Sequence, residues 1–126
     1  TVHHTGIIVK DIEKNLEVYN KLGYVQISDI TTDSIQHNRI VFLTSTNQVQ
    51  TIELIKPIDV TSSVYHFKEG YHYIYYEVEN RDQFINDFKK LKIGKIFTKP
   101  QIALAIKDRE VVFCCLINGT FVEFLF

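Results

Sequence analysis

The chain repeats itself at an offset of 69 residues. Val-Lys-Asp-Ile-Glu-Lys-Asn-Leu-Glu-Val-Tyr-Asn-Lys-Leu at 9–22 returns loosely as Val-Glu-Asn-Arg-Asp-Gln-Phe-Ile-Asn-Asp-Phe-Lys-Lys-Leu at 78–91. Val9 therefore corresponds to Val78, Leu16 to Ile85, Tyr19 to Phe88 and Leu22 to Leu91. Further on, Ile52-Glu53-Leu54 returns as Val122-Glu123-Phe124 at an offset of 70. A unit this short leaves one apolar sheet face uncovered, and pairing two copies removes that problem. The repeat breaks at one chemically important place: the counterpart of His4 is Tyr73.

The local pattern gives the same order of elements in both halves. A strand over 2–9 leads to Asp11, a plausible N-cap, and to a helix with Ile12, Leu16, Tyr19 and Leu22 on one stripe; Gly23 is its stop. Strands follow near 25–30, 37–44 and 50–56. A connector over 59–70, with a helical turn at Val64–Lys68, separates module 1 (about 1–58) from module 2 (about 71–126). The second module starts with a strand over 72–79, and Asn80 with Gln83 forms a capping-box-like pair. Its helix shows Phe84, Ile85, Phe88 and Leu91, followed by strands near 94–97, 102–106 and 110–116. Asn118-Gly119 predicts a type I′ hairpin into the last strand. The class is α+β, one domain over 1–126 built from two β-α-β-β-β modules.

Composition removes several functions. Fourteen basic residues face fifteen acidic ones, a net charge of −1, with no polybasic tract, so neither nucleic acid nor a membrane is an expected partner. No apolar run reaches the length of a membrane span and no signal peptide is visible, so the expected location is cytoplasmic. Cys114 and Cys115 are neighbours in an apolar strand; they point to opposite faces and are expected to be reduced packing residues.

Two carboxylates stand out. Alternation puts Thr51, Glu53 and Ile55 on one face, and Phe121, Glu123 and Leu125 on one face in the other copy. A carboxylate among apolar neighbours is costly unless it is neutralised, paired or bound to a cation. The same anomaly in both copies points to a site. His4, among Gly6 and Ile8 on the first strand, is the natural third member, while His3 faces the other way.

Here the residues resemble a family. His-Thr-Gly-Ile-Ile-Val at 4–9, followed by Lys-Asp-Ile-Glu and Tyr-Asn-Lys-Leu-Gly-Tyr, is similar to the start of vicinal oxygen chelate proteins, closest to methylmalonyl-CoA epimerase and glyoxalase I. Ile52-Glu53-Leu54-Ile55-Lys56-Pro57, Gly70-Tyr71-His72-Tyr73-Ile74 and Phe121-Val122-Glu123-Phe124 resemble later segments of the epimerases. The resemblance implies a half-open eight-stranded barrel and a divalent metal (Zn, Ni, Co or Mn) held by one residue from each of four strands. His4, Glu53 and Glu123 match ligands; the fourth position is Tyr73, with His72 as the alternative if a bulge turns it inward. In such proteins a carboxylate beside the metal shuttles a proton, which gives Glu123 and Glu53 catalytic roles.

The function implied is metal-assisted proton transfer, an isomerase or lyase reaction on a small carbonyl or thioester substrate, in a homodimer. The alternative is a metal-free small-molecule-binding protein of the bleomycin-resistance type, its metal site degenerate at Tyr73. A second departure from the epimerases lies at 100–110, where Pro-Gln-Ile-Ala-Leu-Ala-Ile-Lys-Asp-Arg-Glu replaces a glycine-rich loop. Arg109 in that stretch is a candidate receiver of an anionic substrate group.

Overall fold

The computed structural model describes residues 1–70 and 72–126, with the side chains of all of these except His72. The chain divides into two compact units, one of His4–His72 and one of Thr1–His3 with Tyr73–Phe126.

In the first unit the elements are β1 (Val2–Ile8), α1 (Ile12–Lys21), β2 (Tyr24–Gln26), β3 (Thr31–Asp33), β4 (Asn38–Ser45) and β5 (Thr51–Pro57). β5 lies between β1, parallel to it, and β4, antiparallel to it; β2 and β3 both pair with β4. The helix begins where Asp11 accepts a hydrogen bond from the Lys14 N–H at 3.0 Å, as its sequence predicts. Gly23 ends it at φ +95°, a left-handed conformation that glycine takes at little cost. Ile12, Leu16 and Tyr19 pack on Val41, Leu43, Ile52 and Leu54, so one sheet face is covered by α1. Burying each large aliphatic side chain of this kind is worth roughly 1.5–3 kcal/mol. Leu22, assigned to the same stripe from sequence, is 67% exposed because it caps the helix where the chain turns away.

The second unit repeats the plan with β6 (His72–Glu77), α2 (Arg81–Leu91), β7 (Gly94–Ile96), β8 (Gln101–Ala103), β9 (Arg109–Leu116) and β10 (Phe121–Leu125). β10 runs parallel to β6 and antiparallel to β9, and β7 and β8 pair with β9. Asn80 caps α2 by accepting from the Gln83 N–H. Phe84, Ile85 and Phe88 pack on Val112, Cys114, Val122 and Phe124. The expected elements of both modules are present; β3 is a further strand of three residues, and β8 is the short form of the strand expected over 102–106.

Two local expectations are corrected. The strand expected over 102–106 ends at Ala103 and becomes a 3-10 turn over Leu104–Ile106. The Asn118-Gly119 hairpin is not type I′: only Gly119 has positive φ, and its N–H bonds the Leu116 carbonyl. The loop is a type I turn closed by a left-handed residue, the usual form when three residues link two strands.

Candidate functional site

Strand alternation decides which side chains leave the helix-covered faces. In the first unit Ile52 and Leu54 point toward α1, so Glu53 points the other way. Register places Gly6 of β1 and Phe42 of β4 opposite Glu53, and His4 shares the Gly6 side of β1. The His4 and Glu53 side chains meet there, Nε2 to Oε2 at 2.6 Å. Their residues are 1% and 2% exposed, and the edge of the Phe42 ring packs on His4 with centroids 5.2 Å apart.

Burial sets the protonation of this pair. It pushes the Glu53 carboxyl up to about 8, helped by the negative charge of the buried Asp33, and it pushes the His4 imidazole down to about 3. Both shifts favour neutral partners, so Glu53 keeps its proton and donates it to Nε2 of His4. Asp33 is held in place by the backbone N–H groups of Ile35 and Gln36, each donating to its Oδ1 at 2.9 Å. Sequence reasoning missed both the direct His4–Glu53 contact and the part played by Asp33. A one-residue slip in β-pairing abolishes such a contact, and register between distant strands is not written in any local pattern.

In the second unit Glu123 stands opposite Tyr75 on β6 and Phe113 on β9, on the face away from α2. It is 4% exposed. Tyr73 and Tyr75 share that face and are buried; the Tyr75 hydroxyl donates to that of Tyr73 at 3.4 Å. Phe113 meets Tyr73 edge-on at 5.9 Å and stacks on Phe121 at 5.6 Å, so Glu123 stands in an aromatic wall. Cys114 lies on the opposite, helix-covered face, and burial with the nearby Glu123 charge pushes its thiol up to about 12.

The implied metal is tested by these donors. An imidazole nitrogen and a carboxyl oxygen, once freed of the proton between them, suit a divalent ion of the Zn, Ni, Co or Mn kind. Among the described residues, however, no three His, Cys, Asp or Glu side chains converge. The donors of the first unit fit such an ion in kind and fall short in number. The side chain of His72, the alternative fourth ligand, lies outside the described residues.

The remaining candidates are placed elsewhere. His3 and His66 are exposed, and His37 is in an exposed left-handed turn. Arg109 is engaged by its own unit: it donates to the Glu77 carboxylate at 2.5 Å and to the Phe126 carbonyl at 3.0 Å. That engagement removes it as a free receiver of substrate charge. No helix of the described residues is long and apolar enough to cross a membrane.

Residues 3–113 match the family model described as the Glyoxalase/Bleomycin resistance protein/Dioxygenase superfamily. No curated protein matches the sequence. Among solved structures, the chain is similar to methylmalonyl-CoA epimerase from Mycobacterium tuberculosis, with a TM-score of 0.82 and 18% identity over 98% of this chain and 85% of that one. A hypothetical protein from Bacillus halodurans gives a TM-score of 0.84 and 22% identity, over 99% and 92%. A Streptomyces coelicolor methylmalonyl-CoA epimerase variant, in complex with 2-nitronate-propionyl-CoA, gives 0.79 and 17%, over 98% and 94%. At these identities the likeness shows a shared fold.

Proposed function

The chain belongs to the glyoxalase/bleomycin resistance protein/dioxygenase superfamily, and on that footing we propose that it moves a proton at the carbon beside a carbonyl or thioester group of a small molecule. The observation that carries this reading is the buried His4–Glu53 contact at 2.6 Å. A carboxyl group removed from water and joined to an imidazole is suited to general acid–base work.

In the proposed reaction the active form is the Glu53 carboxylate, the minority form below pH 8: it takes the proton from the substrate carbon, and His4, through Nε2, orients it. Glu123, carried over from the family resemblance, is the second acid–base group: as the carboxylic acid it gives a proton to the carbon and is left as carboxylate. Return to the opposite face gives epimerisation, and return to a neighbouring atom gives isomerisation. The proposed metal ligands are His4, Glu53 and Glu123, with Tyr73 in the fourth position. When bound, such an ion supplies a Lewis acid for the developing negative charge on the carbonyl oxygen. A thioester is the favoured substrate class, because the solved structures similar to this chain include epimerases in complex with 2-nitronate-propionyl-CoA and with methylmalonyl-CoA.

The aromatic wall of Tyr73, Tyr75 and Phe113 favours a second reading, a metal-free ligand-binding protein. Metal content after dialysis and reloading with Mn, Co, Ni or Zn separates the two. Near-stoichiometric metal in the native chain, lost in His4→Ala, supports the metalloprotein. No metal in either protein, with thermal stabilisation by an organic ligand, supports the binding protein.

A further inference from the structure

The two units each form a groove between the helix end, the short strand after it and the strand that pairs with that one. In the first unit this groove is lined by Leu16, Glu17, Asn20, Tyr24, Gln26 and Leu43. In the second its polar lining is Lys89, Lys92 and Lys95, over apolar walls that include Phe97 and Ile117. The repeat makes each comparison direct: at the offset of 69, Asn20, Gly23 and Gln26 become Lys89, Lys92 and Lys95. Residues 89–99 hold five lysines and no acid, where 20–30 hold one lysine and one aspartate.

The helix explains only the first of these charges. Lys89 lies in the last turn of α2, where a cation meets the negative end of the helix dipole. Lys92 and Lys95 lie beyond that turn. Lys92 also takes a left-handed backbone, φ +54°, at the position where the first unit has glycine. A side chain kept in a conformation that glycine adopts more cheaply points to a use for that side chain. Among the described residues no ion pair engages Lys89, Lys92 or Lys95. The groove has a volume of about 440 Å³, enough for a nucleotide. Phe97 leans on Phe121 at 6.1 Å and is still 58% exposed, which leaves ring surface open for stacking.

We propose that this groove is a binding site for a nucleoside polyphosphate, its phosphates held by Lys89, Lys92 and Lys95 and its base set against Phe97. Three point charges without a carboxylate among them match a di- or triphosphate. An exposed aromatic ring beside them matches a flat base.

The test is titration calorimetry on the full chain at low salt with ATP, ADP, pyrophosphate and adenosine as probes. ATP and ADP are expected to bind, pyrophosphate more weakly, and adenosine not at all. Lys89→Asn combined with Lys92→Gly and Lys95→Gln restores the residues of the first unit, and is expected to weaken ATP binding by at least about tenfold. Its melting temperature, with the left-handed lysine removed, is expected to be no lower than that of the native chain. Absence of ATP binding at millimolar concentration overturns the proposal, as does unchanged ATP binding by the triple variant. Binding confined to RNA or to vesicles of anionic lipid also overturns it.

Discussion

Gly23 and Lys92 hold the same left-handed position after the two helices, at φ +95° and φ +54°. Only the glycine is relaxed there. Lys92→Gly is therefore expected to raise stability by about 1 kcal/mol, and Gly23→Lys to lower it by a similar amount. Thermal melts of both variants check the pair; a lower melting temperature for Lys92→Gly contradicts the assignment of strain. The same substitution removes one of the three groove lysines, so stability and polyphosphate binding should move in opposite directions.

Gly94 is needed for a different reason. A Cβ there would lie 2.4 Å from the Cys115 carbonyl oxygen and 2.9 Å from the Leu116 Cα, both backbone atoms. Gly94→Ala should cost about 1–3 kcal/mol through forced separation of β7 from β9. Denaturant unfolding measures it, and a neutral result would mean that β7 moves aside freely.

The two thiols should differ in reactivity. Cys114 is fully buried with its thiol pushed up to about 12, so only about one part in ten thousand is thiolate at pH 8. Cys115 is half-buried in the lysine groove. Iodoacetamide on the folded chain should label Cys115 first, and peptide mapping that finds Cys114 labelled first contradicts the burial pattern.

The metal-free protein should have a stability plateau bounded by the His4–Glu53 pair. Glu53 is raised to about 8 in the folded chain from its ordinary 4.5, so its contribution is full below 4.5 and is lost as pH rises toward 8. His4 is lowered to about 3 from 6.5, so its contribution is present above 6.5 and is lost as pH falls toward 3. Between 4.5 and 6.5 the folded and unfolded pairs bind the same number of protons, one in each case, and the slope is zero. Outside that window stability should fall by up to about 1.4 kcal/mol per pH unit. Urea unfolding from pH 3 to 8 checks the shape, and Glu53→Gln should remove the alkaline fall.

Much of this was legible in the sequence because the repeat states each signal twice. Asp11 and Asn80 both cap their helices as expected, and His4, Glu53 and Glu123 are all buried. What remained hidden depends on φ and on long-range register. Gln48 takes the left-handed place at φ +59° that Gly119 holds in the other unit, and glutamine carries no signal for it. The joining of His4 to Glu53 needs the parallel register of β1 and β5, fixed by packing across 49 residues of chain. The offset of 69 sets Lys89, Lys92 and Lys95 against Asn20, Gly23 and Gln26, but only the fold brings the three lysines to one groove.

The central claim is that His4 and Glu53 carry proton transfer. The direct measurement is deuterium uptake at the carbon beside the carbonyl of methylmalonyl-CoA and simpler acyl thioesters, in deuterium oxide, with the chain metal-free and reloaded. Glu53→Gln keeps a hydrogen-bond donor for Nε2 and removes the base, so it should slow exchange by about 100-fold or more while the chain stays folded. Exchange by the native chain with that loss is the predicted result. No exchange on any thioester under either condition, or equal exchange by Glu53→Gln, would contradict it.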